Sequence, residues 1–190
     1  MPVPHGVTGA LPPPICLALW AEQVICAAAD CATKPPGVAW ADAAVFPVPA
    51  LTAEQVATGA LAVQPGETVL VHGAGGVTGK LIEQLATVRG ARVIATAGPA
   101  SADRVRAYHD AHWTERVHAL TGGVGVAAAA NAARGGAAQA FGAVANGGRL
   151  ATITSDSADA DSGVTVHQVY VRPDGARLAA LRRTAGPRCR

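Results

Sequence analysis

The feature that most constrains this chain is a glycine-rich junction, His72-Gly-Ala-Gly-Gly-Val-Thr-Gly-Lys80, between segments of different periodicity. Before it, Thr68-Val-Leu-Val-His72 is a β-branched apolar run of the length expected for a buried strand. After it, Lys80 to Val88 places Leu81, Ile82, Leu85 and Val88 on one helical face, and Gly90 predicts the stop. Ala91-Arg-Val-Ile-Ala-Thr96 then reads as a second strand. A glycine loop joining a strand to a helix, with another strand following, is the βαβ context of a dinucleotide site. The Ala74-x-Gly76-x-x-Gly79 spacing fits that use, with small residues at the turn, at the pyrophosphate approach and at the helix packing point. A phosphate-binding P-loop does not fit. Ala74 stands where its first glycine belongs, and Leu81 where a hydroxyl should hold the metal.

The rest of the chain extends this pattern. Ala102 to Ala107 and Trp113 to Leu120 are expected to be helical, Gly125 to Asn131 a buried strand, and Ala137 to Ala145 a helix. Arg149 to Thr154 and Val164 to Val171 read as further strands, and Ala176 to Arg183 as a last helix. Such alternation predicts an α/β fold with a doubly wound parallel sheet. Nearer the start, Ala21 to Cys26 reads as a strand. Ala39 to Val45 reads as a short helix broken by Pro47 and Pro49, and Thr52 as the cap of a helix starting near Leu51.

Composition narrows the function classes. Hydrophobic residues make up 50% and charged ones only 15%, so a packed core is expected rather than disorder. A net charge of +2 carries no nucleic-acid signal, and the late arginines from Arg172 to Arg190 read as a solvated basic tail. The run Ile15 to Trp20 is far short of a membrane span, which needs about 20 apolar residues, so no membrane association is expected. A cytoplasmic location follows, with Cys16, Cys26, Cys31 and Cys189 as reduced thiols. Cys26 and Cys31 lack a second pair at zinc-site spacing, and His109, His112 and His118 have too few acidic neighbours, so no metal is expected. No nucleophile elbow is present, which leaves acyl transfer without support.

The wording of Gly66 to Gly79, Gly90 to Thr96, Leu120-Thr-Gly-Gly123 and Gly147-Gly-Arg-Leu150 resembles the medium-chain dehydrogenase/reductase superfamily, nearest its zinc-free quinone oxidoreductase (zeta-crystallin-like) branch. Phe46 to Gln55 is similar to the segment joining that branch's two domains, and Val169 to Gly175 to its last strand and turn. The resemblance implies a Rossmann-type domain over residues 51–181, a short remnant of a β-rich GroES-like substrate domain over residues 1–50, and a basic tail over 182–190. Its remnant strands would lie near His5 to Thr8 and Trp20 to Val24. The implied activity is reduction of a quinone or an activated enone by hydride from NADPH.

The resemblance also implies which residues line the cofactor. They are Thr52 in the joining helix, and Ala74, Gly75, Gly76, Val77, Thr78 and Gly79 in the loop. Thr96 and Ser101 would follow the second strand, and Asn131, Thr154 and Ser155 the ends of later strands. Between Thr96 and Ser101 there is no acid to bind a ribose 2′-hydroxyl, and Arg104 lies just beyond, which favours NADPH over NADH. Relative to the family the chain looks shortened. Most of the substrate domain lacks a counterpart, the short strand expected after Ala107 is missing, and no residue is assigned to catalysis. Loss of that strand is tolerable because it is an edge in the family's strand order. Two other functions therefore stand beside reduction: a Rossmann domain that binds nucleotide or a partner without turnover, and a pocket turned to a non-redox step such as cyclisation. A homodimer paired through the edge strand Val164 to Val171 is expected, because an apolar sheet edge seeks cover.

Overall fold

The computed structural model describes residues 26–104, 112–156 and 163–184. Along the chain come α1 (Trp40–Val45), α2 (Pro47–Glu54), β1 (Thr68–His72), α3 (Val77–Val88), β2 (Arg92–Thr96) and α4 (Trp113–Leu120). They are followed by β3 (Val126–Asn131), α5 (Ala137–Gly142), β4 (Val144–Thr152), β5 (Thr165–Gln168) and α6 (Gly175–Thr184). The five strands form one parallel sheet in the order β2-β1-β3-β4-β5. This is the expected Rossmann-like α/β sheet, and β2 is an edge among the described residues.

Alternating side chains divide the core into two layers. Val69, Val71, Ala128 and Ala130 pack with Ala53, Val56, Ile82 and Ala86 from the side carrying α2 and α3. Leu70, Ala129 and Leu150 face the other way, onto Trp113, Val117 and Ala140 from α4 and α5. Both faces of β1 are therefore covered, and truncating its fully buried Leu70 to Ala would cost about 2–5 kcal/mol. The central strand β3 is almost all alanine, so the flanking layers meet over small side chains.

Several local expectations are corrected. The short helix expected over Ala39 to Val45 does end before Pro47, as α1, but Pro47 also opens a new helix, α2, where a missing N–H is tolerated in the first turn. Thr52 is not a cap: it lies inside α2, and its hydroxyl donates back to the Val48 carbonyl at 2.7 Å. Residue 50, after which the domain boundary is expected, lies within α2. The helix continues as a π-helical turn over Gln55–Ala60. On α3 the buried face is Gly79, Ile82 and Ala86, whereas Val88 is 77% exposed.

The helix predicted through Ala145 ends at Gly142, and β4 starts at Val144. Val126 and Ala128, two apart on β3, face Val144 and Arg149, five apart on β4, so the Gly147-Gly148 region is looped out inside the strand. β4 stops at Thr152 rather than Thr154, and β5 is shorter than the predicted Val164 to Val171. In place of the first part of the Ala102 to Ala107 helix, the chain forms a 3-10 turn over Pro99–Arg104. The rest of that segment, His109, and the proposed remnant strands near His5 and Trp20 lie outside the described residues.

Candidate dinucleotide site

The carboxyl ends of the parallel strands carry the glycine loop. β1 has β2 on one side and β3 on the other, so the loop after β1 opens at the point where the chain's progression across the sheet reverses. The carbonyl of Thr96 at the end of β2 accepts from Gly73 N–H at 3.1 Å and Ala74 N–H at 2.8 Å, which fastens the turn to the sheet. Gly73 has φ of +89°, and a Cβ there would lie 2.8 Å from the Ala132 backbone. Glycine is required at that position by conformation and by space. A Cβ on Gly79 would overlap the Gly73 carbonyl oxygen, so the first turn of α3 packs directly on the loop backbone.

Gly76 differs from these two. Its φ is −83° and a Cβ would meet nothing closer than 3.6 Å, so the space beside it is open. No side chain caps α3; its first internal hydrogen bond is donated by Lys80 N–H to the Gly76 carbonyl at 2.9 Å. The N–H groups of Val77, Thr78 and Gly79 precede that bond, at the positive end of a twelve-residue helix. An uncapped helix end behind an open glycine suits a pyrophosphate, so these residues fit a dinucleotide.

Ser101, carried by the 3-10 turn after β2, lies against Gly75, where a Cβ would overlap its side chain. It accompanies a β2 end without carboxylates, while the Arg104 side chain lies outside the described residues. Thr96 turns its hydroxyl inward, 2.6 Å from His72 Nδ1, and is 2% exposed. Thr52 is also buried, on α2 packed against α3. Neither of these two hydroxyls faces open space, whereas Ser155 is exposed.

A second group of predicted residues forms a closed polar cluster at the ends of β3 and β4. Asn131, fully buried, donates from Nδ2 to Thr152 Oγ1 at 3.2 Å and to Thr154 Oγ1 at 2.9 Å. Its Oδ1 accepts from Ala133 N–H at 3.1 Å, so every side-chain atom of Asn131 able to hydrogen-bond has a partner. Thr154 donates in turn to Asp156, whose second carboxylate oxygen accepts from Ala137 N–H at the start of α5 at 2.9 Å. The Thr154 hydroxyl, followed by backbone N–H donors, holds the Asp156 carboxyl below its ordinary range. Sequence reasoning missed Asp156, because its role is a tertiary cap and no local spacing signals it.

His72 ends β1 between these two regions. Its ring stacks on Trp113 with centroids 4.7 Å apart and planes inclined by 23°. A Cβ on Gly136 would approach the ring to 2.5 Å. Burial pushes the His72 pKa down, and the negative charge of Asp156 opposes that only in part. The imidazole is thus held neutral and structural. Among the described residues no group of three His, Cys, Asp or Glu side chains is placed to hold a metal, and no helix is long and apolar enough to cross a membrane.

No family model matches the chain. A 62-residue stretch is 42% identical to the highly reducing polyketide synthase otaA of Aspergillus carbonarius, covering 33% of this chain and 2% of the synthase. The fold superposes with a TM-score of 0.67 on an NAD-dependent alcohol dehydrogenase at 28% identity, over 80% of this chain and 50% of that one. It superposes with a TM-score of 0.63 on the CurF ER cyclopropanase of curacin A biosynthesis at 26% identity, over 70% of this chain and 45% of that one. The chain therefore spans about half the length of these solved structures and a small fraction of the synthase.

Proposed function

We propose that this chain binds NADPH at the loop after β1 and serves hydride reduction of an activated enone. The observation that carries the reading is the uncapped amino end of α3 behind the open Gly76. Bound NADPH would supply hydride for the electron-poor carbon of the conjugated double bond. The chain's own part is positional. Val77, Thr78 and Gly79 N–H groups would hold pyrophosphate, Gly76 leaves its path clear, and the Asn131–Thr154–Asp156 cluster fixes the strand ends beside it. Ser101 in place of a carboxylate favours a 2′-phosphate over a bare 2′-hydroxyl. Similarity to a polyketide synthase and to an ER cyclopropanase supports a conjugated acyl group as the acceptor rather than a free quinone.

Titration of NADPH and NADH, followed by nicotinamide fluorescence, tests the cofactor site, and absence of binding by either at about millimolar concentration defeats it. Oxidation of bound NADPH by an enoyl thioester, compared with a naphthoquinone, then distinguishes the acceptors. Similarity to the cyclopropanase favours ring closure on the same activated bond as a second reading, recognised by a cyclic rather than a saturated product. NADPH binding without turnover of any acceptor would leave a nucleotide-binding domain. The edge of β5 is proposed to pair with a second copy of the chain, and a monomer by light scattering would refute that pairing.

A further inference from the structure

Away from the dinucleotide loop, a pair of thiols is held together by the backbone. Cys26 Sγ and Cys31 Sγ are 3.0 Å apart, and both residues are exposed. Between them lies a 3-10 turn, Ala28–Asp30, closed by Asp30 N–H to the Ala27 carbonyl at 3.0 Å and Cys31 N–H to the Ala28 carbonyl at 3.2 Å. The turn has thus already brought the sulfurs together; a disulfide bond of about 2.05 Å asks only for small side-chain rotations. The far end of the turn is anchored, because the Cys31 carbonyl packs on Gly175 at the start of α6 so tightly that a Cβ there would overlap it. Beside it opens a surface cavity of about 680 Å³, lined by Ala28 to Thr33, Pro173 to Ala176 and Ala179, with room for a peptide-sized reagent to reach Cys31.

We propose that Cys26 and Cys31 form a reversible dithiol–disulfide site whose oxidant is a small-molecule disulfide of the glutathione class. One cysteine thiolate attacks a sulfur of the oxidant, forming a mixed disulfide and releasing one reduced thiol. The other cysteine attacks the protein sulfur of that mixed bond, forming the Cys26–Cys31 disulfide and releasing the second reduced thiol. Two electrons pass from the pair to the oxidant, and the two thiol protons end on the released thiols. The mutual hydrogen bond pushes the Cys26 thiol up, so exchange accelerates as the medium becomes alkaline. Among the described residues no third metal-binding side chain joins the pair.

The test uses the full chain carrying Cys16→Ser and Cys189→Ser, equilibrated with mixtures of oxidised and reduced glutathione, alkylated, and weighed intact. The expected product has lost two hydrogens, exceeds glutathione adducts by about tenfold or more, and reverts with excess reduced glutathione. Adding Cys26→Ser to the same background should instead trap one stable glutathione adduct on Cys31. Adducts on both cysteines without ring closure, no oxidation at all, or a ring that reduced glutathione cannot reopen would each overturn the proposal. None of these outcomes depends on whether the chain binds a dinucleotide.

Discussion

The loop after β1 and the cluster after β3 and β4 lie at the same edge of the sheet but meet their hydrogen-bonding requirements in opposite ways. The loop leaves the first N–H groups of α3 without a side-chain cap behind an open glycine. The cluster pairs Asn131, Thr152, Thr154 and Asp156 with one another and with the start of α5. An arrangement that ends in unused donors is suited to a ligand, and one that closes on itself is suited to holding the frame. Residues predicted together as cofactor contacts thus divide into a receiving set and a supporting set.

The sharpest way to break this contrast is within the loop itself. Gly79→Ala forces a Cβ into the Gly73 carbonyl and is expected to destabilise the fold by about 3 kcal/mol or more, measured by urea unfolding. A mild effect would mean that the loop has slack and is not a rigid cradle. Next comes Asn131→Ala, expected to cost about 2–3 kcal/mol because it strands the Ala133 N–H and takes a donor from the Thr152 and Thr154 hydroxyl oxygens. NADPH affinity per folded molecule should stay within about twofold, a difference well under 1 kcal/mol. A larger loss of binding than of stability would move Asn131 into the receiving set.

Gly76→Ala should do the reverse. Its Cβ has room in the protein, so stability should shift by no more than about 1 kcal/mol. The methyl group would stand on the pyrophosphate path, so NADPH affinity should fall about tenfold or more, equivalent to about 1.4 kcal/mol. Retention of full affinity would refute the proposed seat.

The smallest effect expected is a pH response of the residue between the regions. Burial places the folded pKa of His72 below its ordinary 6.5. The unfolded chain therefore binds the proton first, so this contribution is intact above about pH 6.5 and is lost as pH falls from there through the folded value. Asp156 shifts the same way from its ordinary 3.8, so its share is retained above that pH and lost only in stronger acid. Urea midpoints from about pH 7.5 down to about pH 5 should decline in the wild type and flatten in His72→Gln. An unchanged slope in the variant would show that His72 is solvated.

The same contrast explains what was legible in the sequence. Thr68 to His72, the glycine spacing and the α3 pattern are local signals, and together they place the loop and the strand order of its βαβ unit. The cluster joins side chains up to 25 residues apart, from Asn131 to Asp156, so its closure depends on how β3 and β4 align. That alignment includes the looped-out glycines at 147 and 148, which read in sequence as the end of one element and the start of another. The stop of α1 before Pro47 was legible, whereas the start of α2 at the same residue was not: proline breaks a helix interior but suits a first turn, and only the observed start of α2 shows that it holds both positions. Val88 kept the helical spacing from Leu81 and Leu85, but the buried face of α3 runs through Gly79, Ile82 and Ala86, which leaves Val88 in water.

The stacking of Trp113 on His72 gives the molecule an optical handle on this edge of the sheet. Trp113 is 6% exposed while Trp40 is 79% exposed, so the former emits from an apolar setting and the latter from a watery one. Protonation of the His72 imidazole, across the 4.7 Å stack, would withdraw electron density from the excited indole and dim the bluer emission of Trp113. The Trp113 share of the emission would therefore fall as His72 gains charge, making the ring pair a built-in acid indicator for the strand ends that frame the loop.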